Sequence, residues 1–415
     1  VRRSALLLAT LLAAAAAAPG QEPPPADDLF TPPDPFASEA PLETPPAGAA
    51  AASGGPSWFD PDAVRAGKAP EGVRLGPVEL HGRANVTFSY TDGLEPIELL
   101  DHAELELSSL DLYAEWFPTA WLGFLAEGEF TRELEEDEHA LEVEPELAVV
   151  ELRPLSTDRL RLRAGLFPVP FGLERRFYAP PRNELVTRPA AFRQVFPGTW
   201  SDLGVMAWGK QPLPFWGGEL ELEVGLVRGL EGPGRRGDRQ ALEHDENHEP
   251  MIAGRGGWTV FDVDEEEGAP LRVALTIGAS LVAGHWDDDR KRRLRYEGFD
   301  AALHVGPLSG RVEVIFSKVE LEPPETSRRM RGLYVVAAWR HDFEDVQLLK
   351  QLHLAGRWDL IDDDSRVRDA HDVERFHVAV GWVPVERLLV KLEAGRARYL
   401  DERVWTTLVE VGYSF

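Results

Sequence analysis

Val404-Trp-Thr-Thr-Leu-Val-Glu-Val-Gly-Tyr-Ser-Phe415 is the stretch on which the reading of the fold turns. Trp405, Val409, Val411, Tyr413 and Phe415 share one parity, with Thr407 among them. Thr406, Glu410, Gly412 and Ser414 share the other, with Leu408 as the exception. Alternation at period two marks a β-strand with one apolar face. An aromatic-rich strand of this kind suits the closing strand of a transmembrane β-barrel: its outward face meets lipid and its aromatic residues form a girdle at the interface. Tyr413 and Phe415 also have the form of a C-terminal signal for barrel-assembly machinery. The competing reading is the edge strand of a soluble β domain.

The other end of the sequence points the same way. Arg2 and Arg3 precede an apolar run from Ala5 to Ala18, and small residues lead into Pro19-Gly20-Gln21. This is the build of a secretory signal peptide, assigned to residues 1–20. The run is too short for a spanning helix, and no later stretch of about eighteen apolar residues follows. An exported chain without a helical span stays in the periplasm, leaves the cell, or enters the Gram-negative outer membrane as a barrel. Residues 21–77 are rich in Pro, Ala, Gly and acidic side chains, with little periodicity, and read as a disordered periplasmic lead. The absence of Cys excludes disulfides, thiolate metal sites and thiol catalysis. A formal net charge of -27 is a poor match for a phosphate backbone, so no nucleic-acid partner is expected.

From Val78 the pattern changes. Val78, Leu80, Gly82, Ala84, Val86, Phe88 and Tyr90 alternate with Glu79, His81, Arg83, Asn85, Thr87 and Ser89. The next strand, about Leu100 to Phe117, changes parity near Ser108-Ser109, which predicts a β-bulge there. Further strands are expected at about 120–131, 142–153, 159–167, 201–210, 217–228, 249–262, 270–284, 294–305, 310–321, 330–342, 348–360, 373–383, 386–399 and 403–415. That makes an all-β antiparallel barrel of about sixteen strands over residues 78–415, the even number usual in bacterial barrels. Short connections (Phe117-Pro118-Thr119, 154–158, 211–216, 306–309 and Pro384-Val385) alternate with longer ones (132–141, 168–200, 229–248, 285–293 and 361–372). A barrel with its short turns in the periplasm and its longer loops outside has this alternation.

A barrel of about sixteen strands leaves an aqueous channel. The expected function is therefore passive diffusion of small hydrophilic solutes, with anions such as phosphate as a candidate class, and not catalysis. In the strand 159–167, Arg159, Arg161 and Arg163 share the polar face. Facing lipid near the midplane, each would cost about 2–4 kcal/mol, so that face belongs to a wet lumen. The long connection 168–200 adds Arg175, Arg176, Arg182, Arg188 and Arg193 against Glu174 and Glu184. It is too apolar and too long to stand in solvent, and folding back into the lumen would bury it. Its arginines would then join those of the strand in a positively charged constriction, which favours anions. The alternative is that these arginines pair with lumen carboxylates such as Glu127, Glu129, Glu219, Glu221 and Glu223 and anchor the loop. A general or cation-preferring channel would follow.

Arg161-Leu-Arg-Ala-Gly-Leu-Phe-Pro-Val-Pro-Phe-Gly-Leu-Glu174 resembles the G-x-F-x-x-P-F-x-x-E segment of the phosphate-selective porin O and P family. Ser201-Asp-Leu-Gly-Val205 resembles that family's R-D-x-G-V, with Ser201 where Arg is common. The resemblance implies a sixteen-stranded porin, commonly a homotrimer, with an inward loop and an arginine ladder.

Other features point less sharply. Glu135-Glu-Asp-Glu138, Asp287-Asp-Asp289 and Asp362-Asp-Asp364 are acidic runs without the spacing of a dedicated calcium loop. His244 and His248 lack a third ligand at zinc spacing, so no metal and no cofactor is expected. A barrel-embedded lipid hydrolase would need a serine and a histidine on the rim, and pairs such as Ser317 and His377 are tied together by nothing in the sequence. A closed structural barrel is the remaining rival. The partners expected are outer-membrane lipid and lipopolysaccharide, small hydrophilic solutes or ions, the barrel-assembly machinery, and two further copies of the chain.

Overall fold

A computed structural model describes residues 73–92, 104–135, 138–155, 159–174, 183–198, 200–213, 217–230, 249–263, 271–287, 290–321, 327–343, 346–362, 365, 372–385, 387–399 and 402–414. The signal peptide and most of the Pro-rich lead lie outside them, as do Arg175, Arg176, Arg182, His244, His248 and Phe415.

The strands are β1 (Val73–Leu75), β2 (Val78–Asp92), β3 (Glu104–Thr119), β4 (Leu122–Glu135), β5 (Glu138–Leu152) and β6 (Arg161–Pro168). A helix, α1 (Ala190–Val195), precedes β7 (Ser201–Pro212), β8 (Glu219–Val227), β9 (Met251–Val263), β10 (Val273–His285) and β11 (Arg293–Val305). Then come β12 (Leu308–Glu320), β13 (Ser327–Asp342), β14 (Gln351–Asp362), β15 (Val373–Val385), β16 (Leu388–Tyr399) and β17 (Glu402–Ser414). From β2 onward each strand pairs antiparallel with the next, and β17 pairs with β2 through Trp405↔Asp92 and Tyr413↔Ala84. The sheet thus closes into a sixteen-stranded transmembrane barrel with no free edge. Every strand expected from the sequence corresponds to one of β2–β17. β1 is additional: it pairs with the start of β2 through Val73↔Leu80 and lies inside the segment read as lead.

Side-chain parity separates two environments. On β8, Leu222, Val224 and Leu226 are exposed on the outer face, while Glu223 and Val227 are buried on the inner one. On β17, Trp405, Val411 and Tyr413 point outward and Leu408 and Glu410 inward. In water this exposed Leu, Val and Phe would be a large apolar liability; against hydrocarbon it is the stable arrangement.

The bulge expected near Ser108-Ser109 is present. Asn85 pairs with Ser109 and Thr87 with Glu106, so β3 carries one extra residue opposite Val86. Phe117-Pro118-Thr119 is not a turn but the irregular end of β3, with Trp116 opposite Phe124 and Thr119 opposite Leu122. Pro384 has the same place at the end of β15. Pro cannot donate to a ladder and is accommodated where the register slips. The acidic loop expected at 132–141 is also corrected. Arg132↔Leu141 through Glu135↔Glu138 are ladder pairs, so β4 and β5 run on and the connection shrinks to residues 136–137. Beyond the apolar band, ladder bonding still satisfies the backbone, and charged side chains do not prevent it.

Candidate functional site: the lumen and its inward loop

The connection between β6 and β7 turns into the barrel. Its described residues 169–174, 183–192 and 195–196 are buried or half-buried, and its polar groups meet the inner faces of strands far along the chain. Gly172 N–H donates to Ser280 Oγ at 2.9 Å on β10. Leu173 N–H and Glu174 N–H donate to Glu313 Oε2 on β12 at 3.2 and 3.3 Å, and the Tyr334 hydroxyl donates to the same oxygen at 2.8 Å. Further along, Val186 N–H and Thr187 N–H donate to Glu393 Oε2 on β16 at 2.5 and 2.9 Å. Thr187 Oγ1 and His377 Nδ1 lie 2.5 and 2.7 Å from the other Glu393 oxygen. Arg357 binds Thr187 and is itself held by Asp359 at 2.8 Å. Lys391 donates to Leu185 O at 3.2 Å and pairs with Glu410 at 3.0 Å.

Apolar packing completes the docking. Phe171 stacks on Phe196 with centroids 4.1 Å apart, and Tyr296 of β11 meets Phe196 edge-on at 5.1 Å. Ala190, Ala191, Phe192 and Val195 form the buried face of α1, while Arg193 and Gln194 are exposed. Two glycines permit the close approach. A Cβ on Gly332 of β13 would lie 2.9 Å from Ala191 O. A Cβ on Gly172, which has φ +72°, would lie 2.2 Å from Glu313 Oε1.

The arginines divide by what they touch. Arg163 Nη2 lies 2.7 Å from Glu151 and Arg161 Nη1 3.7 Å from it. Arg153 also binds Glu151, at 2.7 Å, so three guanidinium groups surround one fully buried carboxylate. Arg161 also lies over the Trp208 ring at 4.7 Å. Arg159 was expected on the same face; it precedes β6, outside the strand, and is exposed. Arg188 makes a two-pronged bond to Glu174, at 2.8 and 2.7 Å, and reaches Gly198 O at 2.8 Å, which staples the loop to itself. Glu184 meets Arg311 of β12 at 2.6 Å. Burial pushes the Glu184 carboxyl up, but Arg311 and its hydrogen bonds outweigh this and hold its pKa below the ordinary carboxylate value. Breaking one partner of such a buried pair costs about 3–5 kcal/mol.

The expected lumen carboxylates face inward. Lys210 lies 3.4 Å from Glu219, Trp208 Nε1–H donates to Glu221 at 2.8 Å, and Glu223 is in register with Arg255. On the opposite side of the sequence ladder, Asp111, Glu129 and Glu144 stand in line across β3, β4 and β5. A bulge in β5 turns Glu146 toward them, and ligand oxygens of Glu129, Glu144 and Glu146 fall within 4.8 Å of one another. Sequence reasoning missed Glu151, Glu313, Asp359 and Glu393. Their signal was available: each is a charged residue at the inward parity of a strand whose other face is apolar.

No family model matches the chain. An uncharacterised protein of Aquifex aeolicus is 23% identical over 380 residues, covering 83% of this chain and 80% of the relative. Among solved structures, the outer membrane channel DcaP of Acinetobacter baumannii matches with a TM-score of 0.53 and 12% identity, over 83% of this chain and 100% of that one. An anion-selective porin from Comamonas acidovorans matches with a TM-score of 0.53 and 10% identity, over 81% and 99%. OprB of Pseudomonas putida gives 0.52 and 9%, over 82% and 94%. The chain therefore has the barrel fold of the outer-membrane porins.

Proposed function

We propose that this protein is an outer-membrane porin, a non-enzymatic channel for passive diffusion of small hydrophilic solutes, narrowed by the loop between β6 and β7. The observation that carries this reading is a closed sixteen-stranded barrel with a lipid-compatible exterior, a charged interior and a loop pinned across the lumen. The channel is general and cation-preferring. Glu129, Glu144 and Glu146 crowd together on one wall, and Arg188, Arg255, Arg311 and Arg357 each sit on a carboxylate. A second reading, selectivity for anions such as phosphate, is favoured by the gathering of Arg153, Arg161 and Arg163 on one stretch of the lumen wall. The resemblance to phosphate-selective porins supports that second reading and a homotrimeric assembly.

Single-channel conductance of the folded chain in a planar bilayer, with the reversal potential read under a KCl gradient, tests the proposal. A cation-selective current indifferent to added phosphate is expected. An anion-selective current blocked by phosphate would put the arginine cluster in charge. No current from folded, heat-modifiable protein would sink the channel reading altogether.

A further inference from the structure

On the exterior of the barrel, at its long-loop end, basic side chains stand directly beside one another. Arg295 of β11 is in register with Lys318 of β12, and Lys318 with Arg329 of β13. All three are at outward parity and exposed, Arg295 by 60% and Lys318 by 50%. Like charges directly opposite on neighbouring strands are destabilising, so such a row calls for a counter-charge. The chain supplies part of one. Glu297 binds Arg295, and Glu320 lies 4.0 Å from Lys318. For Arg329, among the described residues, no side-chain partner is found.

The next rungs toward the midplane change character. Phe316 pairs in register with Arg331, and Val314 with Leu333. A groove of about 710 Å³ runs there along the outer wall, floored by Val314, Phe316, Leu333 and Leu360; Arg331 flanks it on the side of the basic row, and Asp362, Asp372, Glu374 and Arg398 line its far side. Arg331 is held by Asp362 at 2.6 Å, which fixes its position at the rim. Basic rungs therefore lie just above an apolar groove, at the level where a barrel passes from hydrocarbon to headgroups.

We propose that the outer wall of β11–β13 at the long-loop end is a binding site for a phosphorylated glycolipid of the outer leaflet. Its phosphates lie against Arg295, Lys318 and Arg329, and an acyl chain fills the groove over Phe316 and Leu333. Phosphate oxygens suit this row because guanidinium and ammonium donors project from one plane at strand spacing. The proposal rests on the reading that the long-loop end faces outward.

The test uses the folded full chain in detergent micelles. Native mass spectrometry and a binding titration follow purified bisphosphorylated lipid A, its dephosphorylated form, and inorganic phosphate as competitor. Wild-type protein is expected to retain lipid A and to ignore the dephosphorylated form. The triple variant Arg295→Gln, Lys318→Gln, Arg329→Gln should bind at least tenfold more weakly, with unchanged heat-modifiability and conductance. Leu333→Trp, which fills the groove, should weaken lipid binding without changing charge. Equal retention of lipid A by wild type and triple variant would overturn the proposal, as would equal retention of the dephosphorylated lipid. Displacement by inorganic phosphate at the same concentration would mark a free-anion site and overturn it too. Loss of lipid binding with conductance intact separates this site from the channel reading, which fails only if conductance is absent.

Discussion

Along β12, β14 and β16, the inward carboxylates Glu313, Asp359 and Glu393 accept hydrogen bonds from backbone N–H groups of the loop. On β4 and β5, Glu129, Glu144 and Glu146 instead face one another. The residue type and the face are the same, and the physical role differs. A carboxylate that receives several N–H donors in a dry setting is an anchor, because removing it strands those donors at about 1–3 kcal/mol each. Carboxylates crowded into one site raise a local negative potential that a passing ion feels. The comparison teaches that a charged lumen residue cannot be assigned to transport from its sign and its face alone.

That contrast is open to attack, most strongly at the anchors. Glu393→Ala would leave Val186 N–H, Thr187 N–H and the Thr187 hydroxyl without their acceptor. Loop docking should weaken by about 3–5 kcal/mol. Larger, noisier conductance and faster proteolysis around residues 183–188 would register it; an unchanged channel would mean the loop is held by its aromatic packing instead. Gly172→Val comes next. Its Cβ would press on Glu313 at a positive φ, and about 1–3 kcal/mol of strain is expected, read as a lower unfolding temperature of the barrel.

The acidic wall should respond in the opposite manner. Glu129→Gln with Glu144→Gln ought to leave folding intact and lower the cation preference about two- to threefold, read from the reversal potential. A folding defect without a selectivity change would move these residues to the anchor class. The smallest effect is expected from Lys210→Gln. Its pair with Glu219 is partly exposed at 3.4 Å, so less than about 1 kcal/mol should be lost in denaturant titration.

Much of the site was legible in part. Arg161 and Arg163 were placed on the lumen face by parity, and they are there. Their partner Glu151 was not recognised, although it lies just across the β5–β6 hairpin, in register with Arg163. Arg188 and Arg193 were grouped as constriction residues. One turned out to staple the loop to Glu174, while the other lies on the exposed face of a helix that no apolar period announced. Six residues are too few for a 3.6-residue pattern to show.

Parity, turn residues and the count of strands are local properties, written into successive side chains, and from them the sequence alone determined an all-β barrel of about sixteen strands with its lipid and lumen faces correctly sorted. Where the loop lies, and which carboxylate neutralises which arginine, only the tertiary structure decided. Glu393 and Val186 are separated by 207 positions, and Glu313 and Leu173 by 140. Closure of the barrel brings such residues together, and a contact of that range depends on strand register and stagger around the whole circumference, which no local pattern encodes.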